Sequence, residues 1–256
     1  MNKELKELLE FAADIARGAG ALTLKYFKTS LQVEKKADGS PVTIADREAE
    51  SYLRERIARA CPDDTILGEE EGTTIGRSGR RWIVDPIDGT FSFVRGVPFY
   101  GVLVGLETDG AASLGVVYMP ALDEIVTAAT GLGCYWNGQR AHVSNVAKLG
   151  EALVLCTDFG SCAKYGYGMA AENMAQQAAQ RRTWGDCYGY VLAATGRAEV
   201  MLDPIMNVWD CAPLLPIMQE AGGTFTDWPG RATIHGDNAI ATNSLLFDEV
   251  MRVSRT

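Results

Sequence analysis

Histidine is scarce in this chain of 256 residues, and its cysteines are not paired at short spacing. The only two histidines are His142 and His235, and the six cysteines include no Cys-x-x-Cys pair. Zinc sites are built mainly from these two residue types, often at that spacing, so the sequence does not indicate one. Scattered cysteines without a disulfide pattern favour reduced thiols.

Basic charge and long apolar runs are also lacking. The chain has 24 lysine and arginine residues against 33 aspartate and glutamate residues, a net charge of −9. This charge disfavours nonspecific binding to nucleic acid or to an acidic membrane surface. No apolar run approaches the roughly 18 residues of a membrane span, and the first residues do not resemble a signal peptide. We therefore expect a cytoplasmic protein with neither nucleic acid nor membrane as a partner.

The hydrophobic pattern changes near residue 150. Before it, helical spacing predicts a long opening helix and a second helix capped by Thr43, followed by a series of strands. After it, short strand-like runs alternate with helical runs, among them a helix predicted over 168–180. This alternation predicts an α/β (α+β) protein with two layered subdomains, residues 1–150 and 151–256.

Residues 82–90, Trp-Ile-Val-Asp-Pro-Ile-Asp-Gly-Thr, form an apolar strand that runs directly into two acids. Proline and glycine fix a turn there, which leaves the amides of Gly89 and Thr90 free to donate hydrogen bonds. The close carboxylates of Asp85 and Asp88 favour a hard divalent cation, and free amides favour an anion. The segment indicates a site for a metal ion and a phosphate. Taken alone, it is equally consistent with a strand-ending turn whose acids are solvated.

Three other segments place acids where a strand ends or a helix begins. These acids are Glu69 and Glu70 after an apolar run, and Asp46 and Asp210 at the starts of two helical patterns. Such positions commonly face a shared cleft. Together with the acids of residues 82–90, they predict a cleft lined by carboxylates.

These blocks resemble the inositol monophosphatase family, a magnesium-dependent, lithium-sensitive phosphatase superfamily. In chain order they are Pro-Val-Thr-x-Ala-Asp at 41–46, Gly-Glu-Glu at 68–70, residues 82–90, Trp-Asp-x-Ala at 209–212 and Glu-Ala-Gly-Gly at 220–223. The resemblance covers nearly the whole chain. It implies a stacked αβαβα sandwich of the sugar-phosphatase type and a cytoplasmic, homodimeric hydrolase of a small phosphorylated metabolite.

Three further stretches are most like the histidinol-phosphate phosphatase branch of that family. They are Lys-Ala-Asp-Gly-Ser-Pro at 36–41, Phe-Val-Arg-Gly-Val-Pro at 93–98 and Trp-Gly-Asp-Cys-Tyr-Gly-Tyr at 184–190. The branch implies histidinol phosphate as the substrate and a place in histidine biosynthesis. Inositol 1-phosphate and other sugar monophosphates are the alternatives with the same chemistry.

The family resemblance also implies a set of Mg²⁺ ligands. One ion has Glu69, Asp85 and the carbonyl of Ile87 as ligands. A second has Asp85, Asp88 and Asp210, so that Asp85 bridges the two ions. A third, weaker ion would bind Glu69 and waters. Ligation by oxygen alone, with no histidine nearby, favours magnesium over zinc.

The catalytic residues implied by the resemblance are Glu69 together with Asp46 and Thr90, which orient and deprotonate the attacking water. The amides of Gly89 and Thr90 would bind the phosphate. Asp46 has an alternative role as an acid favoured by the helix dipole. Lys36 would reach the phosphate or a carboxylate of a loop, or is simply a solvated charge. Glu70 is a further candidate beside Glu69.

Substrate choice is expected to depend on Asp88, Asp186 and Asp203. Asp203 aligns with a position that contacts the leaving alcohol in the family, and Asp186 lies in the stretch typical of the histidinol-phosphate branch. Two carboxylates facing the leaving group suit a cationic amino alcohol with an imidazole better than a neutral polyol. Asp186 is equally suited to be the N-cap of a helix over 187–195. Asp158 is another candidate for the pocket wall.

A second enzyme class is raised by Cys134 and Arg140, which have the Cys-x5-Arg spacing of cysteine phosphatases. In that class the loop leads into a helix, whereas Asn137-Gly138 predicts a hairpin turn. Gly133 also stands where that class has histidine, so we interpret the spacing as chance. Some members of the superfamily act as interaction factors in transcription, but the intact set of acids favours an enzyme.

Overall fold

The computed structural model describes residues 2–36 and 39–255. Its α-helices are α1 (Asn2–Leu24), α2 (Ile44–Ala60), α3 (Thr90–Val94), α4 (Phe159–Lys164), α5 (Gly168–Gln177), α6 (Asp186–Ala194), α7 (Val208–Glu220) and α8 (Phe247–Ser254). Short 3-10 helices occupy Leu149–Glu151 and Ser244–Leu246. Among the described residues, no helix has the length and apolar character required to cross a membrane.

The strands form a small hairpin and two larger sheets. They are β1 (Glu34–Lys35), β2 (Pro41–Val42), β3 (Thr65–Gly68), β4 (Gly72–Thr74), β5 (Arg80–Asp88), β6 (Gly101–Thr108), β7 (Ala111–Met119), β8 (Glu124–Ala129), β9 (Gly133–Trp136), β10 (Gln139–Arg140), β11 (Leu153–Cys156), β12 (Gln180–Arg182), β13 (Val200–Asp203), β14 (Thr224–Thr226) and β15 (Ala239–Thr242).

The larger sheet has eight strands in the order β10-β9-β8-β7-β6-β5-β3-β4, and only its β3–β5 pair is parallel. The smaller sheet has five strands in the order β12-β11-β13-β15-β14, and β11 runs parallel to both of its neighbours. The large sheet is formed by residues 65–140 and the small one by residues 153–242. The division of the chain into subdomains at about residue 150 remains a prediction.

The two sheets and three helical layers stack as α-β-α-β-α. Along β5, Trp82 and Val84 pack with α1 and α2, while Ile83 faces the opposite side toward α6 and α7. Met201 of β13 shares that middle helical layer, whereas Val200 faces α4, α5 and α8. Alternate side chains of each sheet are therefore buried on opposite faces. The predicted mixed α/β class and stacked sandwich are confirmed.

The second helix begins as the sequence predicts. Thr43 is the N-cap of α2, and its side chain accepts a hydrogen bond from the amide of Ala45 at 3.1 Å. In return, the Asp46 carboxylate accepts from the Thr43 amide at 2.8 Å, which completes a capping box. The cap therefore fixes the position of the Asp46 carboxylate.

The helix predicted over 168–180 is too long at its C-terminal end. α5 ends at Gln177, and the extended backbone of Ala178, with ψ 151°, leads into β12. The three residues of β12 are all exposed and pair in parallel with β11. An exposed strand without apolar alternation has no sequence signal, because its neighbour in the sheet defines it.

Two glycines bring α7 against the backbone of the large sheet. Gly105 of β6 and Gly115 of β7 are cross-strand partners, and both face α7. A Cβ at Gly115 would overlap the main chain of Pro213, and one at Gly105 would lie 2.9 Å from the Cβ of Ala212. This close contact sets the position of Asp210 in the first turn of α7.

Gly115→Ala is expected to destabilise the protein, because its new methyl group would overlap α7. Overpacking of this kind costs about 1–3 kcal/mol, and each 1 kcal/mol lowers the Tm of a chain of this size by about 2–4 °C. Gly150→Ala is the matched control, since the nearest atom to its added Cβ is Gln177 O at 3.7 Å. Thermal unfolding followed by circular dichroism gives both values, and equal Tm values would contradict this account of the packing.

Candidate active site

Three carboxylates converge where β5 ends and α7 begins. One carboxylate oxygen from each of Asp85, Asp88 and Asp210 lies within 4.8 Å of the other two. In a regular strand, residues three apart face opposite sides. Here the four residues from Asp85 to Asp88 lie opposite only three residues of β6, from Leu103 to Gly101. This bulge, which contains the proline between the two acids, brings both carboxylates to one side.

The electrostatics of this carboxylate cluster suit a cation. Burial, followed by repulsion from Glu69, Asp88 and Asp210, raises the pKa of Asp85 well above its ordinary value. Burial likewise raises the pKa values of Asp88 and Asp210 to about 7. Hard oxygen donors that lie close together and repel one another fit Mg²⁺, because a bound cation would remove the repulsion.

Glu69 and Glu70 lie in the loop after β3, and both form an ion pair with the ammonium group of Lys36. Lys36 Nζ is 2.6 Å from a carboxylate oxygen of each. Burial opposes the charge on Lys36, but the two carboxylates outweigh it and raise its pKa above the ordinary value. Burial raises the pKa of Glu70 to about 7 against the effect of Lys36. Lys36 therefore contacts the loop carboxylates, and the interpretation of it as a solvated charge is wrong.

The structure brings Asp46 and Thr90 together. The Thr90 hydroxyl is 2.9 Å from the carbonyl oxygen of Ile87 and 3.5 Å from Asp46 Oδ1, and both oxygens can accept its proton. The other Asp46 oxygen, Oδ2, is held by the Thr43 hydroxyl at 2.6 Å. Burial raises the pKa of Asp46 despite these hydrogen bonds from Thr43. Asp46 thus has one oxygen fixed by its helix and one directed at Thr90.

Gly89 occupies a position that requires glycine. It is the N-cap of α3 with φ 81°, in the left-handed region that other residues rarely adopt. A Cβ there would also lie 3.0 Å from both Asp186 Oδ2 and Phe99 O. Gly89 therefore allows the acids of β5 and α6 to approach each other.

Beside the carboxylate cluster lies a cavity of about 120 Å³. It is lined by acids from both sheets and both middle helices, together with polar and apolar residues: Asp88, Thr157, Asp186, Cys187, Asp203, Ile205, Met206, Asp210 and Leu214. Its mixed lining of acids, polar groups and apolar side chains is typical of a site that binds part of a small metabolite.

Asp186 is the first residue of α6, and the interpretation of it as an N-cap is wrong. The N-cap is Gly185, and the Asp186 amide donates to the Thr157 hydroxyl at 2.9 Å. The next amide, that of Cys187, donates to Asp88 Oδ2 at 2.5 Å. The carboxylate of Asp88, from β5 of the eight-stranded sheet, therefore accepts a hydrogen bond from the first turn of α6. Asp186 adopts a left-handed φ of 50°, and its side chain lines the cavity.

Asp203 lines the same cavity from the end of β13. Its side chain accepts a hydrogen bond from the Tyr190 hydroxyl at 3.0 Å, and its carbonyl accepts from the Trp228 indole at 2.9 Å. Burial raises its pKa well above the ordinary value, and burial followed by repulsion from Asp88 raises that of Asp186 to about 7. Two acids whose charges are disfavoured in the cavity favour a cationic ligand.

Two candidates from the sequence lie outside this arrangement. Asp158 is exposed and caps α4 by accepting from the amides of Gly160 and Ser161, while its neighbour Thr157 lines the cavity. Cys134 is buried in the β9–β10 hairpin, and burial raises the pKa of its thiol to about 12. The chance interpretation of the Cys-x5-Arg spacing therefore agrees with the structure, because a reactive thiolate needs a lowered pKa.

Sequence reasoning missed Thr157 and Tyr190, which form hydrogen bonds with Asp186 and Asp203 beside this cavity. Thr157 follows a short strand-like run at 153–156, which is its one local signal in the sequence. Tyr190 lies within the Trp-Gly-Asp-Cys-Tyr-Gly-Tyr stretch, but nothing local connects it to Asp203. In the Lys-Ala-Asp-Gly-Ser-Pro stretch, Ala37 and Asp38 lie outside the described residues.

Comparison with known proteins identifies the family. The inositol monophosphatase family model matches residues 4–255. Histidinol-phosphatase of Chlorobaculum parvum is 44% identical over 93% of both chains, and that of Mycobacterium tuberculosis is 40% identical over 95% of this chain and 96% of its own.

Solved structures agree with the sequence relatives. The extragenic suppressor protein SuhB of Bartonella henselae has a TM-score of 0.92 at 29% identity and covers 98% of this chain and 99% of its own. An IMPase of Thermotoga maritima has a TM-score of 0.88 at 32% identity and covers 97% of each chain. The chain therefore belongs to the inositol monophosphatase family.

Proposed function

We propose that this phosphoric monoester hydrolase is a Mg²⁺-dependent histidinol-phosphate phosphatase of histidine biosynthesis. The observation that carries the proposal is the pair Asp186 and Asp203, one partly buried and one buried acid that line one cavity beside the carboxylate cluster. The names of the sequence relatives support the same substrate. We further propose that the protein is a cytoplasmic homodimer.

The proposed metal ligands are those that the family resemblance implies, and the convergence of Asp85, Asp88 and Asp210 supports three of them. Glu69, Asp85 and the Ile87 carbonyl would hold one Mg²⁺, and Asp85, Asp88 and Asp210 a second, with a third, weaker ion at Glu69. Mg²⁺ held by these residues would supply charge neutralisation for the phosphoryl and leaving oxygens and a lowered pKa for the attacking water. The amides of Gly89 and Thr90 would hold the phosphate at the start of α3.

Asp46 and Thr90 would move a proton away from the attacking water. The Thr90 hydroxyl accepts a proton from water as it passes its own to Asp46 Oδ1, which lies 3.5 Å away. The raised pKa of Asp46 makes its carboxylate a better base at neutral pH. The capping box holds the other oxygen of Asp46 in place during the transfer.

The leaving group of histidinol phosphate carries an ammonium and an imidazole. In our proposal these groups meet Asp186 and Asp203, and their positive charge favours the ionised carboxylates. Inositol 1-phosphate, the alternative substrate, has a neutral leaving group and would leave both acids without a countercharge. A phosphate-release assay over both substrates, with and without Mg²⁺, tests the proposal directly.

Asp85→Asn is expected to abolish turnover, because one residue supplies a ligand to both proposed ions. Loss of one electrostatic contact with a transition state costs about 10²–10³-fold in kcat, and here the loss should be at least that large. Phosphate release by the purified, folded variant at saturating Mg²⁺ is the measurement. Near-normal activity would exclude the two-ion arrangement.

In the absence of metal, Asp85→Asn should have a larger free energy of unfolding than the metal-free wild-type protein at about pH 7.5. Because the pKa values of Asp88 and Asp210 are about 7 against an ordinary 3.8, the folded protein holds more protons than the unfolded chain between these values. The free energy of unfolding of the wild-type protein therefore falls as the pH rises through this range. In Asp85→Asn the fall should be smaller, which Tm values across the range would reveal.

Chelation separates metal chemistry from a cysteine nucleophile. Activity should vanish with EDTA, return with Mg²⁺ and fall with Li⁺, which in this family competes for a metal position. Cys134→Ser should keep nearly full activity, since the thiol is buried and takes no part in the reaction. An inactive Cys134→Ser, alongside full activity in EDTA, would contradict the mechanism.

L-Histidinol phosphate should be hydrolysed with a much higher kcat/KM than inositol 1-phosphate. Charge-assisted hydrogen bonds of roughly 1.5–3 kcal/mol each give about 10- to 100-fold discrimination per contact. Asp203→Asn should narrow this preference by lowering kcat/KM for histidinol phosphate. Its kcat/KM for a simple aryl phosphate, the control substrate, should change little. A wild-type preference for inositol 1-phosphate would overturn the substrate assignment but leave the phosphatase.

A further inference from the structure

Glu50 is a fully buried acid that contacts the loop carrying Glu69. It lies on α2 one turn after Asp46, and its side chain accepts hydrogen bonds from two consecutive backbone amides of that loop. The Glu70 amide donates to Oε2 at 2.7 Å, and the Glu71 amide donates to Oε1 at 2.9 Å. Both carboxylate oxygens therefore hold the backbone directly after Glu69.

Arg54, one turn further along α2, completes this contact. Its Nε donates to Glu50 Oε1 at 2.8 Å, which supplies the countercharge that a buried carboxylate needs. Its guanidinium also donates to the carbonyl of Gly72 and, at 3.3 Å, to the hydroxyl of Thr74. Glu50 and Arg54 thus bind the loop and the strand that follows it.

The end of β3 is shaped to receive Glu50. Gly68 directly precedes Glu69, and a Cβ at that position would collide with Glu50 Oε1. Gly68 also pairs with Gly72 across the β3–β4 hairpin, so the two ends of the loop are fixed in the sheet. With Glu50 on its amides, the loop is held at both ends and in the middle.

We propose that Glu50 is a positioning residue that orients Glu69 toward Asp85 and the metal ions. The proposal deepens the proposed function and rests on its assignment of Glu69 as a ligand. α2 carries Asp46 and, four residues later, Glu50, and a helix places such residues on one face about 6 Å apart along its axis. One rigid helix thereby sets the water-activating acid and the metal-binding loop at a fixed distance from each other.

Glu50→Gln tests this role, because a glutamine has one acceptor oxygen for two amides and turns an NH₂ group toward one of them. The Kd for Mg²⁺, measured by calorimetry on the metal-free protein, should rise by about 10-fold or more, as for other residues that support metal ligands. Hydrogen exchange at the amides of Glu70 and Glu71 in the metal-free protein should become faster. kcat at saturating Mg²⁺ should change much less than the Mg²⁺ concentration that gives half activity.

Asp64→Asn is the matched control. Asp64 directly precedes β3, at the end of that strand opposite to Glu69. Asp64 is also a buried acid with several donors, among them the Ser78 hydroxyl at 2.6 Å, the Arg80 guanidinium at 3.0 Å and the Trp82 indole at 2.9 Å. This variant should lower the Tm while leaving the Mg²⁺ affinity unchanged.

Glu50→Asp is a second variant in case Glu50→Gln fails to fold. It keeps the negative charge beside Arg54, but its shorter side chain does not reach both amides. It should therefore weaken Mg²⁺ binding and speed exchange at the two loop amides in the same way.

Wild-type Mg²⁺ affinity in a folded Glu50 variant would overturn the proposal, even with faster exchange in the loop. An equal loss of Mg²⁺ affinity in Asp64→Asn would also overturn the proposal, since the effect would then follow from lost stability alone. A wild-type protein that binds no Mg²⁺ and releases phosphate without it would instead overturn the metal assignment itself, and this proposal with it.

Discussion

Repulsion between closely spaced carboxylates is the constraint on which the rest of the structure depends. Asp85, Asp88 and Asp210 are held within a few ångströms of one another in a site where burial already disfavours their charge. Hydrophobic burial on both sides of β5 keeps the two strand acids in place. The glycine contact beneath α7 keeps the third from moving away. The fold thus tolerates a local cost that a cation would relieve.

The stacked layers explain why the cavity lies where it does. Its four acids come from four elements that meet only in the middle of the sandwich: β5 of the large sheet, β13 of the small sheet, and α6 and α7 between them. No single layer could supply this set. The proposed chemistry and the proposed substrate selection are therefore placed side by side by the architecture.

The features that sequence reasoning recovered depend on local rules. Thr43 was predicted to cap the second helix with Asp46 at its start, and the structure has both residues in those positions. The apolar run before Asp85 likewise predicted a buried strand ending in acids. Such patterns need no knowledge of what lies across the sheet.

The features that sequence reasoning missed depend on contacts between distant residues. Asp186 met the local rules for an N-cap, but Gly185 is the N-cap of α6, and the carboxylate of Asp88, far earlier in the chain, accepts the hydrogen bond from the Cys187 amide. Gly115 and Glu50 gave no local signal, because their importance comes from the atoms of α7 and of the loop after β3. The short strand β12 is defined only by its partner.

The hydrogen bond from the Cys187 amide to Asp88 has a thermodynamic consequence. The same carboxylate belongs to the carboxylate cluster and holds the start of α6, where Asp186 turns into the cavity. A ligand that changes the charge or position of Asp88 therefore acts on both places through one side chain. Under the proposed assignments, binding of the cation and binding of the leaving group would be thermodynamically coupled. Each ligand would change the affinity of the protein for the other by the same factor.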